Sequence, residues 1–409
     1  MRVLFIHPDL GIGGAERLVV DVGVSLQQLG HSVHFVTCHH NREHCFKETI
    51  DGTLSLSVIG DWMPRSIFGK CYAMCAYLRV IIAALYVVFS RQEQFDYQLV
   101  FCDQISACIP IFKWFSALNG KKSKIVFYCH FPDQLLTERN SFWKKMYRLP
   151  IDWLEEVTTG LADCVLVNSN FTAHVFRKTF SRLSNVPIDV LHPTCNFAVF
   201  DRPVNANIDD LKLNIKADST FLSINRYERK KNLELSLEAL ADLLKRLRRE
   251  TKDKNVHLII AGGFDERVIE NKEYFDELIA ISKNLGVENN VSFLKSPSDS
   301  QKHLLLHSCT AVLYTPQNEH FGIVPLEAMY MKRAVIACNS GGPLETIVDG
   351  ETGFLCDPKA SSFSEAMYKF VCDKSLALEF GVNGREHVQK HFAYSTFKRN
   401  LDKMIQKLK

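Results

Sequence analysis

An excess of charge of either sign is missing from this chain. Its 409 residues include 49 lysines and arginines against 46 aspartates and glutamates, which leaves a net charge of +3 with neutral histidines. A nucleic-acid-binding surface needs a strongly basic patch, so we do not expect nucleic acid among the partners. The hydrophobic content of 46% and the charged content of 23% are ordinary for a globular protein.

Cysteine pairs of the Cys-x-x-Cys type are also missing, although the chain has 13 cysteines. An odd count without such pairs, and with no leader before the first apolar run, favours reduced thiols in the cytosol. The densest tract of cysteine and histidine, residues 38–45, could bind a metal but lacks the paired spacing of a zinc site. A loop is the simpler interpretation of this tract.

Two nucleotide-related motifs are absent. No Asp-x-Asp pair occurs in the sequence, and such carboxylates are one way to hold a metal against a diphosphate. The glycine-rich segment with Gly11, Gly13 and Gly14 stops short of the dinucleotide pattern Gly-x-Gly-x-x-Gly, because Glu16 stands at the place of the last glycine. No acidic residue ends the second apolar run either. These absences count against an NAD-dependent dehydrogenase.

Short apolar runs alternate with helical patterns along most of the chain, which predicts an α/β fold with parallel sheets. The predicted strands of the first half span residues 3–6, 33–37, 99–102, 125–129 and 164–168. Those of the second half span residues 220–225, 256–261, 291–294, 311–314 and 334–337. Helices are predicted between the strands, among them 15–29, 170–180 and 233–247.

The length of the chain exceeds what one hydrophobic core usually serves, so we expect two domains. A polar stretch that contains prolines, 192–219, separates the two series of strands and marks the linker. We predict an N-terminal Rossmann-like domain at 1–200, a C-terminal one at 201–385, and a helical tail, 386–409, that packs back on the N-terminal domain. Two doubly wound domains that face across a cleft would bind ligands at the carboxyl ends of their strands.

One segment, 71–89, is apolar throughout except for Arg79. As a helix it would be about 28 Å long, close to the thickness of a bilayer core. Crossing a membrane would place strands of one sheet on opposite sides, so spanning is the least favoured of three interpretations. A buried core helix and a helix in the membrane interface remain, and the second is supported by flanking cationic and aromatic residues: Arg65, Lys70, Arg91, Trp62 and Tyr86.

The most informative motif carries two carboxylates, Glu319 and Glu327, eight positions apart. Pro325 suits the first turn of a helix, which would leave Glu319 in the preceding loop and Glu327 in the first helical turn. Eight residues of helix span about 12 Å, more than the roughly 5 to 9.5 Å between the acid and the base of a glycosidase. The pair therefore indicates two carboxylates that touch different parts of one ligand beside a helix N-terminus, which is itself an anion site.

Cations and a histidine are predicted at the same strand ends. Arg226 and Lys231 follow the first strand of the second domain, where they could neutralise phosphates without a metal. His130 follows a predicted strand of the first domain and could bind a substrate hydroxyl. The glycine-rich loop near Gly11 and the glycines at 341–342 would let backbone amides approach an anion or a ligand oxygen. Taken singly, each of these features could equally be structural.

In combination these motifs resemble those of retaining GT-B glycosyltransferases of family 4. Glu319 and Glu327 match the Glu-x7-Glu motif of that family. Arg226 and Lys231 match its Arg-x4-Lys pair, which holds the donor diphosphate. His130 and the glycine-rich loop fall where the family has its active-site histidine and its glycine-rich loop. The resemblance covers essentially the whole chain, with the motifs in the right order.

Three segments, 7–17, 128–133 and 225–232, resemble more narrowly the eukaryotic α-1,3/1,6-mannosyltransferases of dolichol-linked oligosaccharide assembly. That resemblance implies GDP-mannose as donor and a mannosyl-chitobiosyl diphosphate on dolichol as acceptor, extended by an α-1,3 and then an α-1,6 mannose. It implies catalysis without a metal or another cofactor. It also implies the cytosolic face of the endoplasmic reticulum membrane, early in protein N-glycosylation, with other early dolichol-pathway transferases as partners.

The resemblance implies separate roles for the site residues. Arg226 and Lys231 would stabilise charge as the diphosphate leaves. Glu319 would lie near the transferred mannose, and Glu327 would accept hydrogen bonds from the ribose hydroxyls. The donor is expected to contact three further residues: Phe321, Gly322 and Ile323.

Retention of configuration is expected, but the sequence shows no candidate nucleophile. The working hypothesis is front-face attack, in which the leaving phosphate takes the acceptor proton and His130 touches a sugar hydroxyl. The nearest departure from the family pattern is Asn232, where many members have glycine, and asparagine tolerates the left-handed conformation. Two alternatives keep the fold: a UDP-sugar transferase acting on a soluble acceptor, and a catalytically silent sugar-nucleotide-binding subunit. The intact motifs argue against the silent subunit.

Overall fold

A computed structural model describes residues 1–90, 96–120, 122–137, 139, 141–195, 197–204, 211, 213, 215 and 217–408. The chain divides into two compact units, Met1–Thr194 with Ser395–Lys409 and Cys195–Tyr394, here called unit 1 and unit 2. The division falls a few residues before the predicted boundary at 200 because Cys195 and Phe197 are already buried in the core of unit 2. The middle of the predicted linker, 205–210, lies outside the described residues.

Unit 1 is built on a seven-stranded parallel sheet in the order β3-β2-β1-β4-β5-β6-β7. Its strands are β1 (Arg2–His7), β2 (Ser32–Thr37), β3 (Ser55–Val58), β4 (Leu99–Asp103), β5 (Lys124–Cys129), β6 (Cys164–Val167) and β7 (Ile188–Val190). Its helices within the first part of the chain are α1 (Gly14–Gln28), α2 (Tyr72–Phe89), α3 (Ile109–Leu118), α4 (Phe142–Thr159) and α5 (Asn170–Thr179). The central strands are apolar along nearly their whole length because a parallel sheet is covered on both faces.

Unit 2 has a six-stranded parallel sheet in the order β10-β9-β8-β11-β12-β13. Its strands are β8 (Ser219–Ile224), β9 (Val256–Gly262), β10 (Val291–Lys295), β11 (Ala311–Tyr314), β12 (Ala334–Cys338) and β13 (Gly353–Cys356). Its helices are α6 (Glu234–Arg249), α7 (Ile269–Asn284), α8 (Asp299–Ser308), α9 (Ile323–Tyr330), α10 (Pro343–Thr346), α11 (Ala360–Cys372) and α12 (Lys374–His391). The strand order reverses between β1 and β4 in unit 1 and between β8 and β11 in unit 2, which is where doubly wound folds bind ligands.

The last helix, α13 (Tyr394–Leu408), returns to unit 1. It buries Phe397, Leu401 and Ile405, and the Lys407 ammonium lies 3.2 Å from the Asp189 carboxylate. The predicted tail that packs back on the first domain begins too early, at 386, since the residues up to His391 belong to α12. These residues of α12 belong to unit 2 because side chains such as Val388 are buried in its core.

Three strands have no counterpart among the predicted ones: β3, β7 and β13. All three lie at sheet edges, and most of their residues are only partly buried. An edge strand with one exposed side has no continuous apolar run, so the pattern that predicts a central strand is missing.

Helix α2 occupies the apolar segment and packs against β1, β2 and α3 of unit 1. Its charge, Arg79, is buried and donates to the carbonyl oxygens of Cys38 and Gly60, at 2.6 and 3.3 Å. Within the described residues this is the one helix long and apolar enough to cross a membrane, and just under half of it is buried. One face therefore serves the core, while Tyr72, Leu78, Leu85, Tyr86 and Phe89 are exposed. The predicted flanking residue Arg91 lies outside the described residues.

Candidate active site

The predicted histidine of unit 1 lies at the carboxyl edge of the sheet, in a network of three residues. His7 ends β1, Asp103 ends the neighbouring β4, and His130 follows β5. The completely buried Asp103 carboxylate lies 2.9 Å from His130 Nε2 and 2.8 Å from His7 Nδ1. One carboxylate therefore holds two imidazoles at the point where the strand order reverses. The sequence pattern indicated His130 but not its two partners.

His7 lies between two oxygen acceptors in this network. Its Nδ1 is 2.8 Å from the Asp103 carboxylate, and its Nε2 lies 2.9 Å from the carbonyl oxygen of Asp9. This arrangement favours the charged form of the ring, in which both nitrogens carry protons. Burial alone would lower the pKa of His7, but the hydrogen bond and the negative charge of Asp103 raise it. Burial alone would raise the pKa of Asp103, but the two histidines lower it.

His130 is left with one nitrogen for a ligand. Because a carboxylate can only accept, Nε2 of His130 carries a proton, and the neutral ring then presents Nδ1 as an acceptor. The backbone of His130 is fixed by the Asn168 side-chain amide, which donates to its carbonyl oxygen at 3.2 Å. Its ring packs on Tyr128 with centroids 4.6 Å apart. The side chain is one-fifth exposed, so it is accessible to a ligand.

The predicted glycine-rich loop joins β1 to α1. Gly13 is the N-cap of α1 and Gly14 its first residue, while Gly11 borders a surface cavity of about 320 Å³. The remaining lining residues of that cavity are polar or charged with one exception: Asp9, Ile12, Glu16, His39, Asn41, His44 and Arg65. Glu16 stands in the first turn of α1, and its carboxylate already occupies the space beside Gly13. The loop is thus built at a helix N-terminus, but a carboxylate of this chain competes there with any bound anion.

The cysteine and histidine tract does not form a metal site. His39 is engaged by the Asp61 carboxylate at 2.7 Å, and His40 by the Thr49 hydroxyl at 2.9 Å. Throughout the part of the chain that the structure describes, no three histidine, cysteine or acidic side chains are arranged to hold a metal ion.

The predicted cations of unit 2 follow β8, and the motif with Glu319 follows the neighbouring β11. The Lys231 ammonium lies 2.5 Å from the Glu319 carboxylate, and its side chain is 11% exposed. The Thr315 hydroxyl donates to the carbonyl oxygen of Lys231 at 2.8 Å, which ties the two strand ends together. Arg226 differs from Lys231 because its side chain is 64% exposed and pairs with Glu228 at 3.0 Å. The structure thus provides one buried cation, Lys231, and one exposed cation, Arg226, at the same edge.

The turn that follows Lys231 depends on Asn232. It adopts φ 50° and ψ 49°, the left-handed conformation that asparagine tolerates better than most residues.

The loop of Glu319 rests directly on the glycines at 341–342. The Gly342 amide donates to the carbonyl oxygen of Glu319 at 2.7 Å. A Cβ on Gly341 would lie 2.4 Å from that oxygen, and one on Gly342 would lie 2.1 Å from the carbonyl oxygen of Phe321. Only glycine allows these backbones to approach so closely. The two motifs are distant in sequence, but they pack together and fix the position of Glu319.

The structure places the predicted donor contacts at the start of α9. Gly322 is the N-cap with φ 83°, and Ile323 is the first helical residue. The side chain of Phe321 is buried, with its ring 5.9 Å from that of Phe392, so only the backbone of Phe321 is available to a ligand. Glycine is needed at 322 because the left-handed backbone there would strain any other residue.

Glu327 does not lie in the first turn of the helix, as the sequence suggested. The helix begins at Ile323, so Pro325 is its third residue and Glu327 its fifth, in the second turn. Proline is tolerated throughout the first turn, not only at its first position, which explains the misplaced start.

The carboxylate of Glu327 has a partner that the sequence did not reveal. The Lys302 ammonium on α8 lies 2.6 Å from it. Burial raises the pKa of Glu327, and Lys302 opposes that rise. Lys302 therefore helps to keep Glu327 ionised, as an acceptor of hydrogen bonds from a ligand.

Two family models match the chain. The model described as "Glycosyltransferase Family 4" matches residues 12–197, and the model described as "Glycosyl transferases group 1" matches residues 207–387. The α-1,3/1,6-mannosyltransferase ALG2 of Homo sapiens is 53% identical, with 99% of this chain and 96% of the human protein covered. The protein of the same name from Dictyostelium discoideum is 44% identical, with 100% and 98% covered.

Solved structures share the fold. Sucrose-phosphate synthase of Thermosynechococcus elongatus has a TM-score of 0.73 at 18% identity, with 100% of this chain and 98% of that chain covered. Anabaena HepE, solved in complex with UDP, has a TM-score of 0.75 at 18% identity, with 100% of both chains covered. At this level of identity they bear on the fold alone, and together with the two parallel sheets they confirm the predicted GT-B architecture.

Proposed function

This chain belongs to the α-1,3/1,6-mannosyltransferase family, and from that premise we propose how its two units carry out the reaction. The protein is a mannosyltransferase of the dolichol pathway. Its donor is GDP-mannose, and its acceptor is a mannosyl-chitobiosyl diphosphate on dolichol, which receives an α-1,3 and then an α-1,6 mannose. The main support for a donor site in unit 2 is the Lys231–Glu319 pair, which lies where the strand order of that unit reverses.

The donor diphosphate binds to the two cations of unit 2. Lys231 is already positioned by its contacts with Glu319 and Thr315, and the exposed Arg226 folds onto the phosphates when they arrive. A fixed ammonium and a guanidinium supply the charge stabilisation that the leaving diphosphate needs. Catalysis therefore proceeds without a metal ion.

The nucleoside and the sugar are bound by the two carboxylates of the motif. Glu327, paired with the Lys302 ammonium, accepts hydrogen bonds from the ribose hydroxyls. Glu319 is anchored by the backbone of Gly342 and lies near the transferred mannose. The Glu319 carboxylate has further lone pairs beside those that face Lys231, and these accept a hydrogen bond from a mannose hydroxyl.

His130 is the sugar-binding residue of unit 1. Its Nδ1 accepts a hydrogen bond from a sugar hydroxyl, while Asp103 fixes the ring through Nε2. The working mechanism is front-face attack, in which the leaving phosphate oxygen takes the acceptor proton and configuration is retained. Under this mechanism His130 positions the sugar and is not required as the base.

The enzyme acts at the cytosolic face of the endoplasmic reticulum membrane. This location is supported by the family, by the exposed apolar face of α2, and by a lipid-linked acceptor that cannot leave the bilayer. Other early transferases of the dolichol pathway are the expected protein partners.

The test is a comparison of donors with the purified protein. GDP-mannose and UDP-sugars are offered with a short-chain analogue of the lipid-linked acceptor, and transfer is followed by mass spectrometry. We expect transfer from GDP-mannose alone, and loss of that transfer in Lys231→Ala with the fold retained. Turnover only with a UDP-sugar would overturn the donor assignment, and normal transfer by Lys231→Ala would overturn the role of the cation pair.

A further inference from the structure

Helix α4 of unit 1 is amphipathic in the opposite sense to a normal surface helix. The side of the helix that faces the core buries one apolar residue, Ile151, beside the partly buried Tyr147 and Leu154. The other buried residues of that side are polar or charged: Arg148, Asp152, Glu155, Thr158 and Thr159. The opposite side carries large apolar residues spaced three or four apart, each at least 41% exposed: Phe142, Met146, Leu149, Trp153 and Val157. We call these five residues the apolar stripe. A soluble helix places such a stripe against the core.

The buried polar face is fully engaged and fixes this orientation. Arg148 donates to Asp152 at 3.1 Å and to Asp133 at 2.8 Å. The Glu155 carboxylate accepts from the backbone amides of Asp133 and Gln134, at 2.7 and 3.1 Å. Rotating α4 to bury the apolar stripe would break these contacts and leave buried charges without partners. The stripe must therefore be covered by something outside unit 1.

The exposed tryptophans of unit 1 indicate what covers the apolar stripe. The chain has four tryptophans, and all four lie in unit 1 and are at least 54% exposed: Trp62, Trp114, Trp143 and Trp153. Tryptophan is normally mostly buried in a soluble protein, but it is enriched where a protein meets the interface of a bilayer. Two of the four belong to α4.

The neighbouring helices continue the same apolar character. Helices α2 and α4 both contact α3, and the Tyr147 hydroxyl of α4 accepts from the Met74 amide of α2 at 3.0 Å. The exposed Phe89 of α2 and Trp114 of α3 have ring centroids 6.4 Å apart. The exposed Lys144 and Lys145 of α4 can meet lipid phosphates. A helix with one apolar, tryptophan-bearing face and lysines beside it has the composition of a helix that lies in a membrane interface.

We propose that α4 docks unit 1 on a lipid bilayer, lying in the plane of the interface with its apolar stripe immersed. This deepens the proposed function, on which it rests, because the acceptor of that reaction is carried by a lipid. The geometry also links docking to the site. The Glu155 carboxylate caps the turn at Asp133–Leu135, which follows His130 in the chain. The helix that contacts the bilayer therefore also positions the segment after the sugar-binding histidine.

The experiment compares two pairs of substitutions in the full-length protein. The first, Leu149→Glu with Trp153→Glu, places two charges on the apolar stripe. The matched control, Ile269→Glu with Leu378→Glu, changes two equally exposed apolar residues of unit 2. Binding to phosphatidylcholine vesicles, with and without phosphatidylserine, is measured by flotation. We expect the α4 pair to lose vesicle binding by at least about tenfold and the control to bind like the unchanged protein.

Two further readouts keep the outcomes distinct. Both pairs should retain the circular dichroism spectrum and the transfer of mannose to a short-chain, detergent-soluble acceptor. Failure of the unchanged protein to transfer mannose to the soluble acceptor would speak against the proposed function and not against docking. Vesicle binding by the α4 pair equal to that of the control would overturn the proposal. It would equally be overturned if light scattering showed a lipid-free dimer that only the α4 pair abolishes, since the stripe would then join two copies of the chain.

Discussion

At the scale of single residues, the carboxylate of Asp103 joins the strand ends at the candidate site of unit 1. It is the common partner of His7 and His130, and it favours the charged state of the first and fixes the tautomer of the second. The sequence indicated His130 because a histidine after a buried strand is a familiar pattern. It could not indicate Asp103, because the end of a strand does not show which side chain from the next strand it will meet.

Replacing Asp103 with asparagine tests this role, since the shape is kept and the charge removed. An amide can donate as well as accept, so the tautomer of His130 is no longer fixed. We expect kcat to fall by about a hundredfold, with a smaller change in the KM for the donor, and the pH profile of kcat to shift. Steady-state kinetics measure both parameters. An enzyme with unchanged kcat and pH profile would mean that His130 is positioned by its packing alone.

The raised pKa of His7 makes stability dependent on pH. A histidine whose folded pKa lies above its usual value of 6.5 contributes stability below that value, and the contribution is lost as pH rises through the folded pKa. The lowered pKa of Asp103 acts at the other end, where stability is lost as pH falls through its folded pKa, below the usual 3.8. Urea unfolding at a series of pH values should show the alkaline loss in the natural chain. The loss should be smaller in His7→Gln, and an identical slope would argue against an imidazolium.

The two carboxylates of the donor motif should give unequal variants. Glu327→Ala removes the ribose acceptor and should raise the KM for GDP-mannose about tenfold with a lesser effect on kcat. Glu319→Ala should mainly lower kcat, because Lys231 remains free to bind phosphate. Lys302→Ala serves as the companion of Glu327→Ala and should shift KM in the same direction. Equal losses of both parameters in both glutamate variants would contradict the division of roles.

At the scale of elements, the predictable parts are those with a continuous apolar run. The central strands of both sheets and the edge strand β10 lie close to their predicted ranges, whereas the edge strands β3, β7 and β13 were not predicted and the start of α9 was misplaced. Helix α4 shows a further limit, since an amphipathic pattern reveals two faces but not which one points inward. That choice is made by hydrogen-bond partners such as Asp133 and Ser106. These residues lie outside the helix in the sequence and meet it only in the folded chain.

The junction of the Glu319 loop with Gly341 can be tested by adding one methyl group. Gly341→Ala combines a positive φ of 68° with a Cβ 2.4 Å from the Glu319 carbonyl oxygen. We expect a loss of about 1–3 kcal/mol in the free energy of unfolding, together with weaker donor binding. Gly350→Ala is the matched control, because its φ of 77° is similarly positive but no atom lies within 4 Å of its Cβ. If both variants bind the donor like the natural chain, close packing of the loop is not needed for the site.

At the scale of the whole molecule, unit 1 is completed by a helix from the far end of the chain. The sequence predicted a tail, 386–409, that packs back on the N-terminal domain, and α13 belongs to unit 1. The start of that tail was predicted too early, because the place where it joins unit 1 depends on the burial of Phe397, Leu401 and Ile405.

Removing α13 should therefore destabilise unit 1 and spare unit 2. Three buried apolar side chains each contribute about 1.5–3 kcal/mol, which is large relative to the stability of a domain. Truncation after residue 393, followed by limited proteolysis, should give rapid cleavage within Met1–Thr194 and slow cleavage within Cys195–Tyr394. Preferential cleavage of unit 2 instead would show that α13 supports the other unit.

The placement of the tryptophans also has an optical consequence. All four indoles of the chain belong to unit 1, so intrinsic fluorescence excited at the indole band reports on unit 1 alone. Docking on vesicles would move Trp143 and Trp153 into a less polar medium and shift the emission to the blue, without any attached dye. The natural chain thus carries its own spectroscopic reporter of membrane contact, while unit 2 contributes no tryptophan signal to obscure it.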